Sequence, residues 1–313
     1  MRMVGSGALR IGTRSSPMAM AQAEHVAGLL RAEWLVREVE IVPFTTSGDR
    51  WTGDLAALGG KGSFVKEIDR AQLADEVDVV VHCLKDVPGD EPVPEGLELT
   101  AYLPRDDAHD AVVTATGAKL TDLPSGARVG TSSVRRAAQL LALRRDLTVV
   151  PMRGNANSRL AKLDAGECDA LLLAVAGLTR IGMADRISEV LPTTAMIPAI
   201  GAGVLVVQCR SGDAETVEAV AGLDHAMTRA CATAERALLT TLRGHCNSPI
   251  AGHCVPKEDG LALHAAVFSL SGDVVIEAFE NGLMHMPEWL GEAAAHTLLD
   301  QGARQIIDAI PRK

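Results

Sequence analysis

The chain has 313 residues and a mass of 32.9 kDa, more than one ordinary hydrophobic core accommodates, so several compact units are expected. Hydrophobic residues make up 47% and aromatic ones only 3%, which points to Ala, Val, Leu and Ile cores of the α/β kind rather than aromatic-rich sandwiches. A net charge of -10 and a pI near 5.4 repel polyanions, so neither nucleic acid nor an anionic membrane is an expected partner.

The opening "MRMVGSGALRIGTRSS" lacks the apolar core of a signal peptide, and no later run approaches the ~18 apolar residues of a membrane span. A cytoplasmic protein is expected. Cys83, Cys168, Cys209, Cys231, Cys246 and Cys254 are scattered, so no disulfide framework is expected and most should be buried thiols.

In chain order, "ALRIGT" reads as a buried strand. "SPMAMAQAEHVAGLLRAEW" reads as a helix with Ser16 at the N-cap and Pro17 at the first helical position. "REVEIVPFTT" returns to strand patterning, so the unit is a parallel strand-helix-strand crossover. The stretch "TSGDRWTGDLAALGGKGS", 46 to 63, has no clear period and is long for a connection, as lids are. A helix ("FVKEIDRAQLADE") and a strand ("VDVVVHCL") complete a first α/β lobe.

From Asp110 the rhythm restarts: "DAVVTA", "ARVGT", a helix from Ser132 to about Arg144, "LTVVPMR", the helix "NANSRLAKLDAG" and "CDALLLAVAGL". "TTAMIPAIGAGVLVVQCR" contains a strand leading back towards the first sheet. After about residue 225 come a helix, three strands with short turns and one last helix, "PEWLGEAAAHTLLDQGARQIIDAI", which describe an antiparallel sheet covered by helices. The fold class expected is α/β: two doubly wound lobes plus a small C-terminal α+β domain. The divisions fall at 1–105 with 202–222, 106–201, and 223–313.

Arginines cluster where strands should end: Arg14 in "GTR", Arg135 and Arg136 in "GTSSVRR", Arg153 and Arg159 in "MRGNANSR", Arg180 in "GLTRIG". In open parallel sheets ligands bind beyond the carboxyl ends of strands, where helix N-termini offer free N–H groups. Such a set describes a carboxylate or phosphate site; the bland alternative is a series of surface ion pairs. Ser132 and Ser133 read at least as an N-cap. In "VDVVVHCLKDVP" a buried strand runs into Lys85 and Asp86, and that carboxylate either moves protons and stabilises a cation or simply caps a turn or pairs with Lys85. "GGKGSF" lacks the spacing of a phosphate-binding loop.

"GHCNSPIAGHC" holds two His-Cys pairs. Its spacing matches no zinc knuckle, and adjacent strand residues point to opposite faces, so no metal site is expected. Cys254 reads as core, whereas Cys246, after a Gly in a loop, has the exposed position of a reactive thiol.

Together "RIGTRSSPMAMAQ", "GGKGSFVKE", "VVHCLKDVP", "VGTSSVRR", "MRGNANSRLAKLD", "DALLLAVAGLTRIG", "TAERA" and "GHCNSPIAG" resemble the porphobilinogen deaminase (hydroxymethylbilane synthase) family over nearly the whole chain. The resemblance implies a monomeric transferase of heme and tetrapyrrole biosynthesis that condenses four porphobilinogen molecules with loss of ammonia. It implies a dipyrromethane cofactor bound covalently to Cys246 and no metal. Cofactor contacts fall on Lys85, Asp86, Ser132, Ser133, Arg135, Arg136 and Arg153, and substrate contacts on Arg14, Ser16, Phe64, Arg153, Arg159 and Arg180. Asp86 is the implied catalytic carboxylate, Lys61 lies on the family's mobile loop, and the lobes resemble two-domain anion-binding proteins. The chain departs from the pattern at Cys83 (usually Ser), Ala202 (Gln), His109 (Arg) and His245 (a small residue). Those departures leave room for a diverged paralogue of a specialised pyrrole pathway, and the fold alone for a small-carboxylate binding protein.

Overall fold

The computed structural model describes residues 8–33, 38–51, 62, 64–89, 91–244 and 247–310. The first lobe opens with β1 (Leu9–Arg14), α1 (Pro17–Glu33), β2 (Val39–Phe44), α2 (Ser47–Arg50), α3 (Lys66–Leu73), β3 (Val79–Cys83) and β4 (Leu97–Tyr102). Helix α1 starts as its sequence predicts, with Ser16 Oγ accepting the Ala19 N–H at 3.3 Å. Ala23, Val26, Ala27 and Leu30 recur at helical spacing and are buried with Ile11 and Val81 of the sheet. The segment 46 to 63, read as lid-like and without clear period, begins with a short helix, α2, closed by a Thr46/Asp49 capping box. Strand β4, set between prolines, was hidden by them in the sequence.

The second lobe comprises β5 (Asp110–Val113), β6 (Arg128–Gly130), α4 (Val134–Leu143), β7 (Thr148–Val150), α5 (Ala156–Asp164), β8 (Ala170–Ala174), α6 (Val175–Arg180) and β9 (Glu189–Val190). The chain then returns to the first sheet as β10 (Leu205–Arg210), followed by α7 (Ala214–Ala221) and α8 (Ala226–Thr241). The end of the chain forms β11 (Ile250–Lys257), β12 (Gly260–Phe268), β13 (Val275–Gly282), α9 (Pro287–Asp300) and α10 (Ala303–Asp308).

The first sheet runs β2-β1-β3-β10-β4. Strand β10 does enter it, but antiparallel to both neighbours, so the sheet is mixed rather than parallel. The reason is topological: β10 arrives from the other lobe without the crossover helix that a parallel neighbour needs. The second sheet, β7-β6-β8-β5-β9, is mixed too, with β6 parallel to β7 and β8 but β5 antiparallel to β8. Helix-side cores of Leu, Val and Ala cover both of its faces.

The third sheet, β11-β12-β13, is antiparallel throughout, with Leu261, Leu263, Ala265 and Val267 buried. The single last helix expected is two helices, because Gly302 at φ 97° enters the left-handed region and breaks the chain between α9 and α10.

By proximity the chain forms two compact units, Met1–Arg105 with Gly203–Arg229 and Asp106–Ala202 with Ala230–Arg312. The C-terminal sheet therefore travels with the second lobe. Ala138 and Ile197 share a core with Ala251, Ala266 and Phe268. At Gly272, φ 72°, a Cβ would stand 2.5 Å from Ala142 N and 2.6 Å from Ala138 O, so only glycine lets this turn rest on α4. The buried Glu235 carboxylate of α8 ties both sides, accepting Gly201 N–H at 2.7 Å and Cys254 N–H at 2.8 Å.

Candidate active site

In the first lobe, β1 delivers Arg14. Its guanidinium grips Asp49, with Nε 3.2 Å from each carboxylate oxygen and Nη2 on Oδ1, and lies 4.2 Å from the centroid of the Phe64 ring. Phe64 rests on Gly48, where a Cβ would come within 2.5 Å of the ring. Burial works to raise the Asp49 carboxyl, but hydrogen bonds and charge from Arg14 outweigh it and hold the group below its ordinary range. Lys61 lies outside the described residues.

Strand β3 is buried along its whole length and passes directly into a 3-10 turn, Leu84–Asp86. Leu84 N–H donates to Val204 O at 2.9 Å and fixes that turn against the chain entering β10. Lys85 and Asp86 are half-buried, and neither side chain makes a hydrogen bond or ion pair with any described residue. The alternative that Asp86 pairs with Lys85 is therefore not observed.

His82, just before the turn, is 6% exposed and its Nε2 is buried without a partner. Burial first, and Arg14 in addition, push its imidazole down to about 4 against the opposing pull of Asp86. Cys83 turns the other way, into the core under α1.

In the second lobe, Ser133 alone caps α4, its Oγ accepting Arg136 N–H at 3.4 Å. Ser132 Oγ instead donates to Met152 O at 2.8 Å and ties the turn to the segment after β7. Arg135 and Arg136 are buried side by side on one carboxylate, each with Nη2 2.6 Å from an Asp110 oxygen. They also donate to Ile197 O at 2.5 Å and Leu172 O at 3.0 Å. Burial alone would raise Asp110, but Arg135 and Arg136 hold it far below the usual carboxylate range. Two guanidiniums against one carboxylate leave one excess positive charge in the triad, and Arg135 Nε has no partner.

Arg153 is half-buried in the loop after β7, where Gly154 takes φ 109° and Asn155 caps α5. Arg159 Nε donates to Gly154 O at 2.8 Å. Arg180 does not directly follow a strand as its sequence predicts. Strand β8 stops at Ala174, and Arg180 ends the following helix, paired with Asp106 at 2.9 Å from Nε. The short apolar run "LLLAVAGL" has no period that separates strand from helix, which is why the boundary was illegible.

Among the unusual residues, His109 Nδ1 pairs with Asp107 at 2.6 Å and Ala202 is buried. Cys246 and His245 lie outside the described residues. Sequence reading missed Asp49, Asp106 and Asp110, the partners that set what each arginine is free to do. Asp110 alone carried a signal, as a carboxylate opening a wholly apolar strand.

Residues 9–218 match the family model "Porphobilinogen deaminase, dipyromethane cofactor binding domain", and residues 229–300 match "Porphobilinogen deaminase, C-terminal domain". The chain belongs to the porphobilinogen deaminase family. Its enzymes are the hydroxymethylbilane synthases of tetrapyrrole biosynthesis, transferases that work with a dipyrromethane cofactor.

Among relatives, "Porphobilinogen deaminase 2" of Streptomyces coelicolor is 54% identical over 311 residues, 99% of each chain. "Porphobilinogen deaminase" of Xanthomonas euvesicatoria pv. vesicatoria is 46% identical over 300 residues, 96% of this chain and 98% of that one. Among solved structures, the methionine binding protein MetQ is 13% identical, with a TM-score of 0.44 over 69% of this chain and 89% of that one. Asp86 and every arginine described above fall within the cofactor-binding match of the deaminase family, and residue 246 falls within its C-terminal match.

Proposed function

We propose that this chain condenses four porphobilinogen molecules head to tail, releasing ammonia at each addition, to yield hydroxymethylbilane, and that Asp86 is its catalytic carboxylate. The observation that carries the assignment is the half-buried Asp86 at the end of a buried strand, beside the cation Lys85, both without a partner among the described residues. A carboxylate in that condition is free to accept a pyrrole N–H and to stabilise the positive charge that develops as ammonia leaves.

Pyrroles bearing acetate and propionate groups need cationic and N–H donors, and the donor set fits them. The triad of Arg135, Arg136 and Asp110 contributes one net positive charge beneath the Ser132–Ser133 turn, where the ten-residue helix α4 begins. Arg153 stands on the loop after β7, and Lys85 and Asp86 stand in the turn that ends β3. These residues and Cys246 are assigned to the dipyrromethane, which when bound supplies a covalently held primer for the growing chain. Arg14, Ser16, Phe64, Arg153, Arg159 and Arg180 are assigned to substrate, with Lys61 on a mobile loop. In this assignment Arg14 meets substrate as part of its pair with Asp49, while Ser16 also caps α1.

Three sheets support a division at 1–105 with 202–222, 106–201, and 223–313. No described helix is long and apolar enough to cross a membrane, and a cytoplasmic monomer is the state we assign.

Intact-mass measurement tests the reading. Purified protein should be heavier than its chain by one dipyrromethane unit, and Cys246→Ala should return it to the chain mass. Wild-type protein that stays unmodified after incubation with porphobilinogen would overturn it.

A further inference from the structure

An imidazole buried without hydrogen bonds needs an explanation, because a buried unpaired polar atom costs about 1–3 kcal/mol. His82 is in that condition: Nε2 is fully enclosed, and neither ring nitrogen bonds to a described residue. In the β1/β3 register Gly12 lies beside Val80, so two residues further along Arg14 comes abreast of His82. On the other side β10 places the apolar Val206 opposite it.

The charged groups placed next to His82 by the fold are Arg14, abreast of it on β1, and Asp86, in the turn that directly follows β3. Arg14 is already engaged with Asp49 and Phe64. Among the described residues nothing engages Asp86 or Lys85 beside it.

A neutral imidazole carries one N–H donor and one acceptor, and a carboxylate only accepts. We infer that His82 is a positioning residue for Asp86: its ring N–H donates to the Asp86 carboxylate when a pyrrole occupies the turn, fixing the carboxylate's direction. The inference rests on the reading of Asp86 as the catalytic carboxylate. Hydrogen bonds of this kind are commonly long or unmade in a ligand-free enzyme and tighten in the substrate complex. Because burial keeps the ring neutral well below neutrality, the donation adds no charge and transfers no proton.

His82→Leu should lower kcat about ten-fold with KM within two-fold. His82→Gln, which keeps a neutral donor, should recover most of the loss. In an Asp86→Asn background His82→Leu should add less than two-fold.

An unchanged kcat in His82→Leu, no recovery in His82→Gln, or a full ten-fold loss in the Asp86→Asn background would overturn the inference while leaving Asp86 in place. Near-normal turnover by Asp86→Asn would remove the reading of Asp86 itself, and this inference with it. If His82→Leu fails to fold, the ring N–H resonance of the wild-type holoenzyme with porphobilinogen decides. A resonance displaced in Asp86→Asn supports the hydrogen bond, and one indifferent to that change refutes it.

Discussion

At the carboxyl end of β3 the first lobe leaves Lys85, Asp86 and His82 without partners among the described residues, each at least half-buried. At the start of α4 the second lobe does the reverse, joining two buried guanidiniums to Asp110 and to backbone carbonyls. Both places are rich in charge, and both were prominent in the sequence. They differ in whether the charge is already satisfied. Satisfied groups hold a framework and set a background field, whereas unsatisfied ones have capacity left for a ligand.

The largest effect expected from that contrast is on stability in the second lobe. Asp110→Asn breaks a buried ion cluster and should destabilise the protein by about 3–5 kcal/mol, read as a lowered denaturant midpoint at pH 7. The carboxyl of Asp110 is held low in the fold. Its contribution is therefore complete above the unfolded value of ~3.9 and is lost as pH falls below it. Asp110→Asn should then flatten the acid side of the stability profile; an unchanged profile would mean the cluster is not what the structure shows.

Next comes Asp86→Asn, which should keep the wild-type denaturant midpoint and lower turnover by at least ~100-fold, measured as steady-state formation of hydroxymethylbilane. A large stability change there would erase the contrast between the two places. Ser133→Ala should cost about 1 kcal/mol of stability through loss of the α4 cap, visible as a shift in thermal midpoint. The smallest effect belongs to Arg180→Gln. Its pair with Asp106 is partly exposed and worth less than about 1 kcal/mol, so a raised KM with unchanged stability would mark it as a ligand contact.

Much of the framework was legible because its signals are local. Ser16 and Pro17 announce the start of α1, the 3.6-residue spacing of Ala23, Val26, Ala27 and Leu30 gives its buried face, and Cys254 in an apolar strand is indeed 1% exposed. Boundaries without a local signal were not legible. The end of β8 inside an apolar run and the break at Gly302 in what reads as one helix are of this kind. The candidate site was legible as a list of residues and not as a set of bonds. Arg14, Arg135, Arg136 and Arg180 look alike in the sequence, yet three different aspartates engage them, at separations along the chain of 35, 25, 26 and 74 residues.

The sequence by itself determined the family and the α/β architecture, because motifs, caps and hydrophobic periods are encoded over a few neighbouring positions. Tertiary structure alone decided the antiparallel entry of β10, the union of the C-terminal sheet with the second lobe, and which charges are satisfied. Those outcomes depend on groups far apart in the chain meeting at hydrogen-bond distance. His82 shows the difference most clearly: an unremarkable strand residue in the sequence, and in the fold a buried ring with a nitrogen unpartnered among the described residues, just before the Leu84–Asp86 turn.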